Sequence, residues 1–206
     1  MKRLLTVMML TVSWALMWAD SPLTSTNFAQ NYKDHSMVQM ALNLDKDSEA
    51  DVPVSMLDFL ADKKSPIDVR LAVINAIGWN FNGRTTGQQL YDYLSTRYKA
   101  KTASKLAKKL DAGTLAVYAY ALAMSNYFEV AEAQDLAHKA VKKNKSKSLS
   151  VAFIAALIDA QVYLDSDWGM VYKVVNDVLH DGSLYLDMRQ EAIDSVMDYI
   201  GEYKQY

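Results

Sequence analysis

Apolar positions along the chain form one unbroken run followed by a series of helical stripes. After Met1-Lys2-Arg3, residues 4–19 are almost wholly apolar, and Asp20-Ser21-Pro22 returns to polar sequence. Residues 20–35, beginning DSPLTSTNFAQNYKD, are polar and without period, and read as an extended lead-in. Beyond them, apolar residues recur every three or four positions, the spacing that gives a helix one buried face. Ser36-Met-Val-Gln39 reads as a capping box that opens a short helix to about Leu44. Val54, Leu57 and Leu60-Ala61 stripe a second helix over 52–62. Ser65-Pro66-Ile67-Asp68 offers a capping Ser, a Pro in the first helical position and an acid in the positive first turn. It starts a helix on which Ile67, Leu71, Ile74 and Gly78 share a side. After a break at 80–83, Leu90, Leu94 and Tyr98 mark the next helix, and Ala103, Leu106, Ala107 and Leu110 a short basic one. Segments 114–127 and 129–143 read as one helical hairpin and 148–164 and 167–180 as another, with a closing helix over 183–203. No stretch alternates with period two. The pattern predicts an all-α fold of about nine helices over residues 36–206, stacked as antiparallel hairpins in the manner of an α-solenoid, with a compact helical bundle as the alternative.

Two stretches carry a family likeness. Tyr120-Ala121 through Ala133, Ala137 and Ala140 put small residues where tetratricopeptide-type repeats use them, and Val171, Val175 and Val178 occupy the equivalent places in the next hairpin. Residues 66–78, with Val69-Arg70 and alanines at 72 and 76, resemble the second helix of a HEAT repeat. The Trp, Gly and Pro signatures of the tetratricopeptide pattern are missing. The resemblance, over 66–78 and 114–180, implies a stack of α-hairpins of the solenoid kind.

The leading apolar run changes where the rest is expected to work. A basic end, an apolar stretch and a small residue at Ala19 form the layout of a secretory signal over residues 1–19. Sixteen residues span about 24 Å as a helix, short of the ~30 Å bilayer core, so cleavage after Ala19 is expected in preference to a retained signal anchor. Met17 is bulky where a small residue usually precedes the cut. The chain is thus expected to be exported, to the periplasm of a Gram-negative cell or otherwise secreted.

Composition narrows the chemistry. There is no Cys among 206 residues, which excludes disulfides, thiol nucleophiles and thiolate-bound metal. Formal net charge is −2, or −4 once Lys2 and Arg3 are removed, and points to no nucleic-acid partner. Seven Gly and three Pro favour long helices over a sandwich of strands. Charge is segregated: residues 97–147 hold 11 bases and 4 acids, residues 159–206 hold 10 acids and 3 bases. Arg97, Lys99, Lys101, Lys105, Lys108, Lys109, Lys142 and Lys143 are the candidate anion patch, suited to an anionic envelope component. Solvated helix faces are the plainer reading of the same lysines.

No nucleophile motif, phosphate loop or His-Glu-x-x-His is present, and His35, His138 and His180 stand apart. Asp45-Lys-Asp47-Ser-Glu49-Ala-Asp51 looks like a calcium loop, but Ala50 replaces the turn glycine and Met56 the closing carboxylate. Asn144-Lys-Ser146 is a formal glycosylation sequon. No catalytic residue, metal or cofactor is expected. The 13 tyrosines suit a wet interface, and Tyr91, Tyr98, Tyr118, Tyr120 and Tyr127 are the candidate partner-binding residues. The expectation is an exported interaction or scaffold module for a protein or peptide. The alternatives are a glycan hydrolase whose carboxylates, Asp92 or Glu129 with a partner, meet only in the fold, and a lysine-held peripheral envelope protein.

Overall fold

The computed structural model describes residues 20–44, 51–145 and 147–206. The leader at 1–19, most of the acidic loop at 45–51 and Ser146 of the sequon lie outside the described residues. The fold is all-helical. Ten α-helices form among the described residues: α1 (Ser36–Leu42), α2 (Val54–Ala61), α3 (Ile67–Ile77), α4 (Thr86–Tyr98), α5 (Ala103–Lys109), α6 (Ala112–Ser125), α7 (Ala131–Lys143), α8 (Leu149–Tyr163), α9 (Trp168–Leu179) and α10 (Gln190–Ile200). Short 3-10 helices cover Phe28–Tyr32 and Gly201–Gln205.

Two of these helices, α6 and the first ten residues of α8, are apolar almost all round and must be covered on nearly every side. Eleven residues in each are buried. Helix α6 takes α7, α4, α3 and α8 as neighbours, and α8 takes α9 and α7. From α6 to α9 consecutive helices therefore pack on one another, as hairpins do, around a two-helix centre. Amphipathic α7, α9 and α10 form the outside. Side-chain caps set several starts: Asp111 for α6, Ser148 for α8 and Asp167 for α9 each accept from the backbone N–H three residues on, at 3.0, 3.2 and 3.2 Å.

The lead-in is the largest departure from expectation. Leu23, Phe28, Ala29 and Tyr32 are fully or almost fully buried. Asn75, in the last turn of α3, holds the segment in place. Its carbonyl oxygen accepts from Ala29 N–H (2.8 Å), and its amide donates to the Thr26 carbonyl (2.9 Å) and to the Tyr120 hydroxyl (2.9 Å). Trp79 adds a bond from its indole N–H to the Thr24 carbonyl (3.2 Å). Arg189, at the start of α10, closes the other side. Its guanidinium donates to the Asn31 carbonyl (2.7 Å) and to both oxygens of Asp34 (2.7 and 3.0 Å), and lies 4.5 Å from the Tyr32 ring centre. The expected extended lead-in over 20–35 is instead part of the fold: its polar groups pair with α3 and α10 while its few apolar residues enter the core.

Three helix starts also differ from the sequence reading. The cap of α1 is His35, whose Nδ1 accepts from Met37 N–H (3.2 Å), and Gln39 donates to the Lys33 carbonyl instead of closing a box at Ser36. Pro66 occupies the cap position of α3, one residue after the expected Ser65. The closing helix begins at Gln190, not near 183. Residues 185–187 are tied along the start of α8 by a bridge between Ser148 and Tyr185 and by Ser150, which donates from N–H and hydroxyl to Asp187 (2.8 Å each). Those bonds replace the helical ones.

Arg70 is 2% exposed and forms no direct ion pair among the described residues. Its guanidinium donates to the Thr114 hydroxyl (3.2 Å), which donates onward to Asp111 (2.8 Å). A hydroxyl therefore links the buried cation to the cap of α6. The residue whose Val-Arg pairing suggested a repeat helix serves here as a bolt between α3 and α6.

Candidate functional site

The tyrosines singled out in the sequence divide by burial. Tyr120 is completely enclosed between Phe28, with ring centres 6.2 Å apart, and Asn75. Tyr118 is buried and stacks with the partly buried Tyr91. Tyr127 is buried against Trp79, edge to face at 5.2 Å. Burial raises the phenol pKa of Tyr118, Tyr120 and Tyr127. Tyr118 and Tyr120 are core residues of alanine-rich α6, whereas Tyr127 lies in the turn after it and is buried with one face toward a groove. Tyr98 lines an open groove, of about 640 Å³, together with Arg97.

The basic residues divide as well. The ammonium of Lys143 donates to the carbonyls of Ala107 (2.7 Å), Lys108 (3.1 Å) and Leu110 (2.7 Å), at the negative end of α5. Lys109 donates to the carbonyls of Tyr98 (2.7 Å) and Lys99 (3.3 Å), at the end of α4. Arg97 pairs with Asp58 and hydrogen-bonds Tyr93. These three are spent on the fold. Lys99, Lys101, Lys105, Lys108 and Lys142 are exposed on the same end of the molecule.

The exposed aromatic surface lies elsewhere, where two turns meet. Asn80 accepts from Asn82 N–H (2.9 Å), Gly83 adopts φ 82° where a side chain would be strained, and Arg84 N–H donates to the Ser125 carbonyl (2.8 Å). That turn lays Phe81 against Phe128 of the α6–α7 turn, edge to face at 5.9 Å. Phe128 also packs on Tyr127 at 4.2 Å. Phe81 is 58% exposed and Phe128 54%.

Beside this pair opens a groove of about 760 Å³ between the α6–α7 turn and the end of α8. Phe128, Val130, Val162 and Leu164 give it apolar walls, and Tyr127 its floor. Its ionisable lining is acidic: Asp20, Glu129 and Asp165. Asp20 accepts from the Ser25 hydroxyl and lies near Tyr199, whose phenol is pushed up by burial first and then by Tyr203 and Asp20. Gln134, also on the lining, donates to Asp159 (2.8 Å), which His138 contacts at 2.8 and 3.0 Å. At the far end Trp168, 43% exposed, donates to the Leu164 carbonyl (2.8 Å) and meets Tyr206 edge to face at 4.9 Å.

The sequence reading missed Phe81 and Phe128. The available signal was large aromatics sitting in turns, where no helical stripe can absorb them. Of the two acids named as catalytic candidates, Glu129 is on the groove, whereas Asp92 is exposed on α4 and accepts from Gln88 (2.8 Å). No group of three or more His, Asp or Glu able to hold a metal occurs among the described residues. No described helix is long and apolar enough to cross a membrane. No protein-family profile, curated protein or solved structure matches the chain.

Proposed function

We propose that this chain is an exported helical interaction module that holds a protein or peptide partner in the groove between the α6–α7 turn and the end of α8. Export rests on the basic-then-apolar pattern of residues 1–19. Binding rests on one observation above the rest: Phe81 and Phe128 expose more than half their surface as a packed pair, beside a groove large enough for several side chains. Exposed aromatics that pack on each other instead of into the core mark a contact surface. The test is site-specific cross-linking. A photoreactive benzoyl-phenylalanine at position 128 captures one discrete partner in cells of the source organism, while the same group at exposed position 105 does not. Identical adducts from both positions, or none from 128, overturn the reading. N-terminal sequencing of the mature protein, expected to begin at Asp20, tests export.

A second reading draws on Glu129 and Asp165 sharing the groove with an aromatic wall, the arrangement of a glycan hydrolase. Both carboxylates are exposed, whereas a proton-donating carboxyl is made by burying it. Binding is therefore preferred. Glycan release by the wild type that Glu129→Gln abolishes would reverse that order.

A further inference from the structure

The groove's charge says what kind of segment fits it. The chain has nearly equal numbers of bases and acids, 22 and 24, yet Asp20, Glu129 and Asp165 all line this groove and, among the described residues, no Lys, Arg or His does. Glu129 stands in the α6–α7 turn and Asp165 beyond the end of α8, so the two walls each contribute a carboxylate. The lysines gather instead where α4, α5 and the end of α7 meet, as the reach of Lys143 across to the end of α5 shows. Apolar walls with acids on both sides complement a ligand that is apolar and cationic at once.

We infer that the occupant of the groove is a peptide segment carrying Lys or Arg among aliphatic or aromatic side chains. The apolar side chains rest on Phe128 and Val162, and the cation is met by Glu129 and Asp165. This rests on the groove being the docking surface proposed above. If the leader is removed after Ala19, the new ammonium of Asp20 offsets one rim charge, and Glu129 and Asp165 keep the sign. Because ion pairs in water are weak individually, the apolar contact supplies most of the affinity, and the charge chooses the partner and hastens encounter.

Labelled peptides of one length, built on the repeats Lys-Leu-Leu, Ser-Leu-Leu and Glu-Leu-Leu, are titrated by fluorescence anisotropy against the full chain. Phe128→Ser and the double variant Glu129→Gln/Asp165→Asn are measured in parallel. All three substituted residues are exposed, so these variants keep the fold. The lysine peptide is expected to bind about 3- to 10-fold tighter than the serine peptide at low salt, and the glutamate peptide weakest. The preference collapses at high salt and in the double variant, while serine-peptide affinity falls only in Phe128→Ser. Equal binding of lysine and glutamate peptides, or a lysine preference that survives in the double variant, overturns the inference. In either case, serine-peptide binding that Phe128→Ser abolishes keeps the docking reading alive. Failure of every peptide to bind overturns both.

Discussion

Residues 20–34 and residues 97–109 are both polar stretches with a scattering of apolar positions, and the fold treats them in opposite ways. The first is drawn into the core, with Phe28, Ala29 and Tyr32 fully enclosed. The second stays at the surface, where α5 buries only Leu106 and Ala107. The difference lies in what the rest of the chain offers. Asn75 and Arg189 provide donors and acceptors for the backbone of the first segment, so burying it leaves few polar groups unpaired. The second carries five lysines and Arg97, of which Arg97 alone has a salt bridge among the described residues, and burial of unpaired charge is prohibitive. Local pattern therefore decides helix or not, and the supply of distant partners decides inside or outside.

The strongest way to break the comparison is to remove the partner that admits the first segment. Asn75→Ala strands the Ala29 N–H, the Thr26 carbonyl and the Tyr120 hydroxyl in a buried setting. A loss of about 3–4 kcal/mol is expected from three orphaned groups, read as a lower urea midpoint at an unchanged slope. Amide exchange across residues 23–32 would rise with it. A loss below about 1 kcal/mol, the scale of a single ordinary hydrogen bond, would mean that the segment is held by its apolar residues and that Asn75 is incidental.

The basic stretch is sharpened by a paired substitution. Lys143 covers three carbonyls at the end of α5, while Lys105 stands exposed on the same helix. Lys143→Ala is expected to cost about 1 kcal/mol, the scale of a lost helix-end interaction. Lys105→Ala should fall within about ±0.5 kcal/mol, as surface changes do. Equal effects would show that the two lysines are alike, as their sequence context suggests.

What the sequence made legible follows the same division. The helices follow local rules of three- and four-residue spacing, which find them from a single chain, whereas the caps expected at Ser36 and Ser65 give way to His35 and Pro66. The long apolar runs of α6 and α8 even mark the centre, since eleven residues of each are buried. The burial of Tyr118 and Tyr120 was not legible, because tyrosine suits core and interface alike until its neighbours are known. The groove was less legible still. Phe81, Phe128 and Asp165 belong to three separate turns, and only the packing of α6 on α4 and α8 sets those turns side by side. Likewise the lysines looked uniform, and only the helix ends beside Lys109 and Lys143 distinguish them.

The smallest expected effect concerns pH and returns to the first segment. Arg189 donates to both oxygens of Asp34, and that hydrogen bonding holds the carboxyl below its ordinary value of 3.8. A carboxylate whose pKa is depressed by folding adds stability above its unfolded pKa and loses it as pH falls through the folded one. Asp34 is solvent-exposed, so water screens the pair and the contribution is small. The variant Asp34→Asn should be slightly less stable than wild type at neutral pH, by a margin that stays constant down to the ordinary aspartate value. Below it the two stability curves should converge, because protonation removes from the wild type what the substitution removed from the variant. Chemical denaturation of both proteins across the acid range measures that margin. A margin that widens on acidification would show that Asp34 is not bound through its charge. The hold of α10 on the buried segment would then rest on the Arg189 contacts to the Asn31 carbonyl and the Tyr32 ring alone.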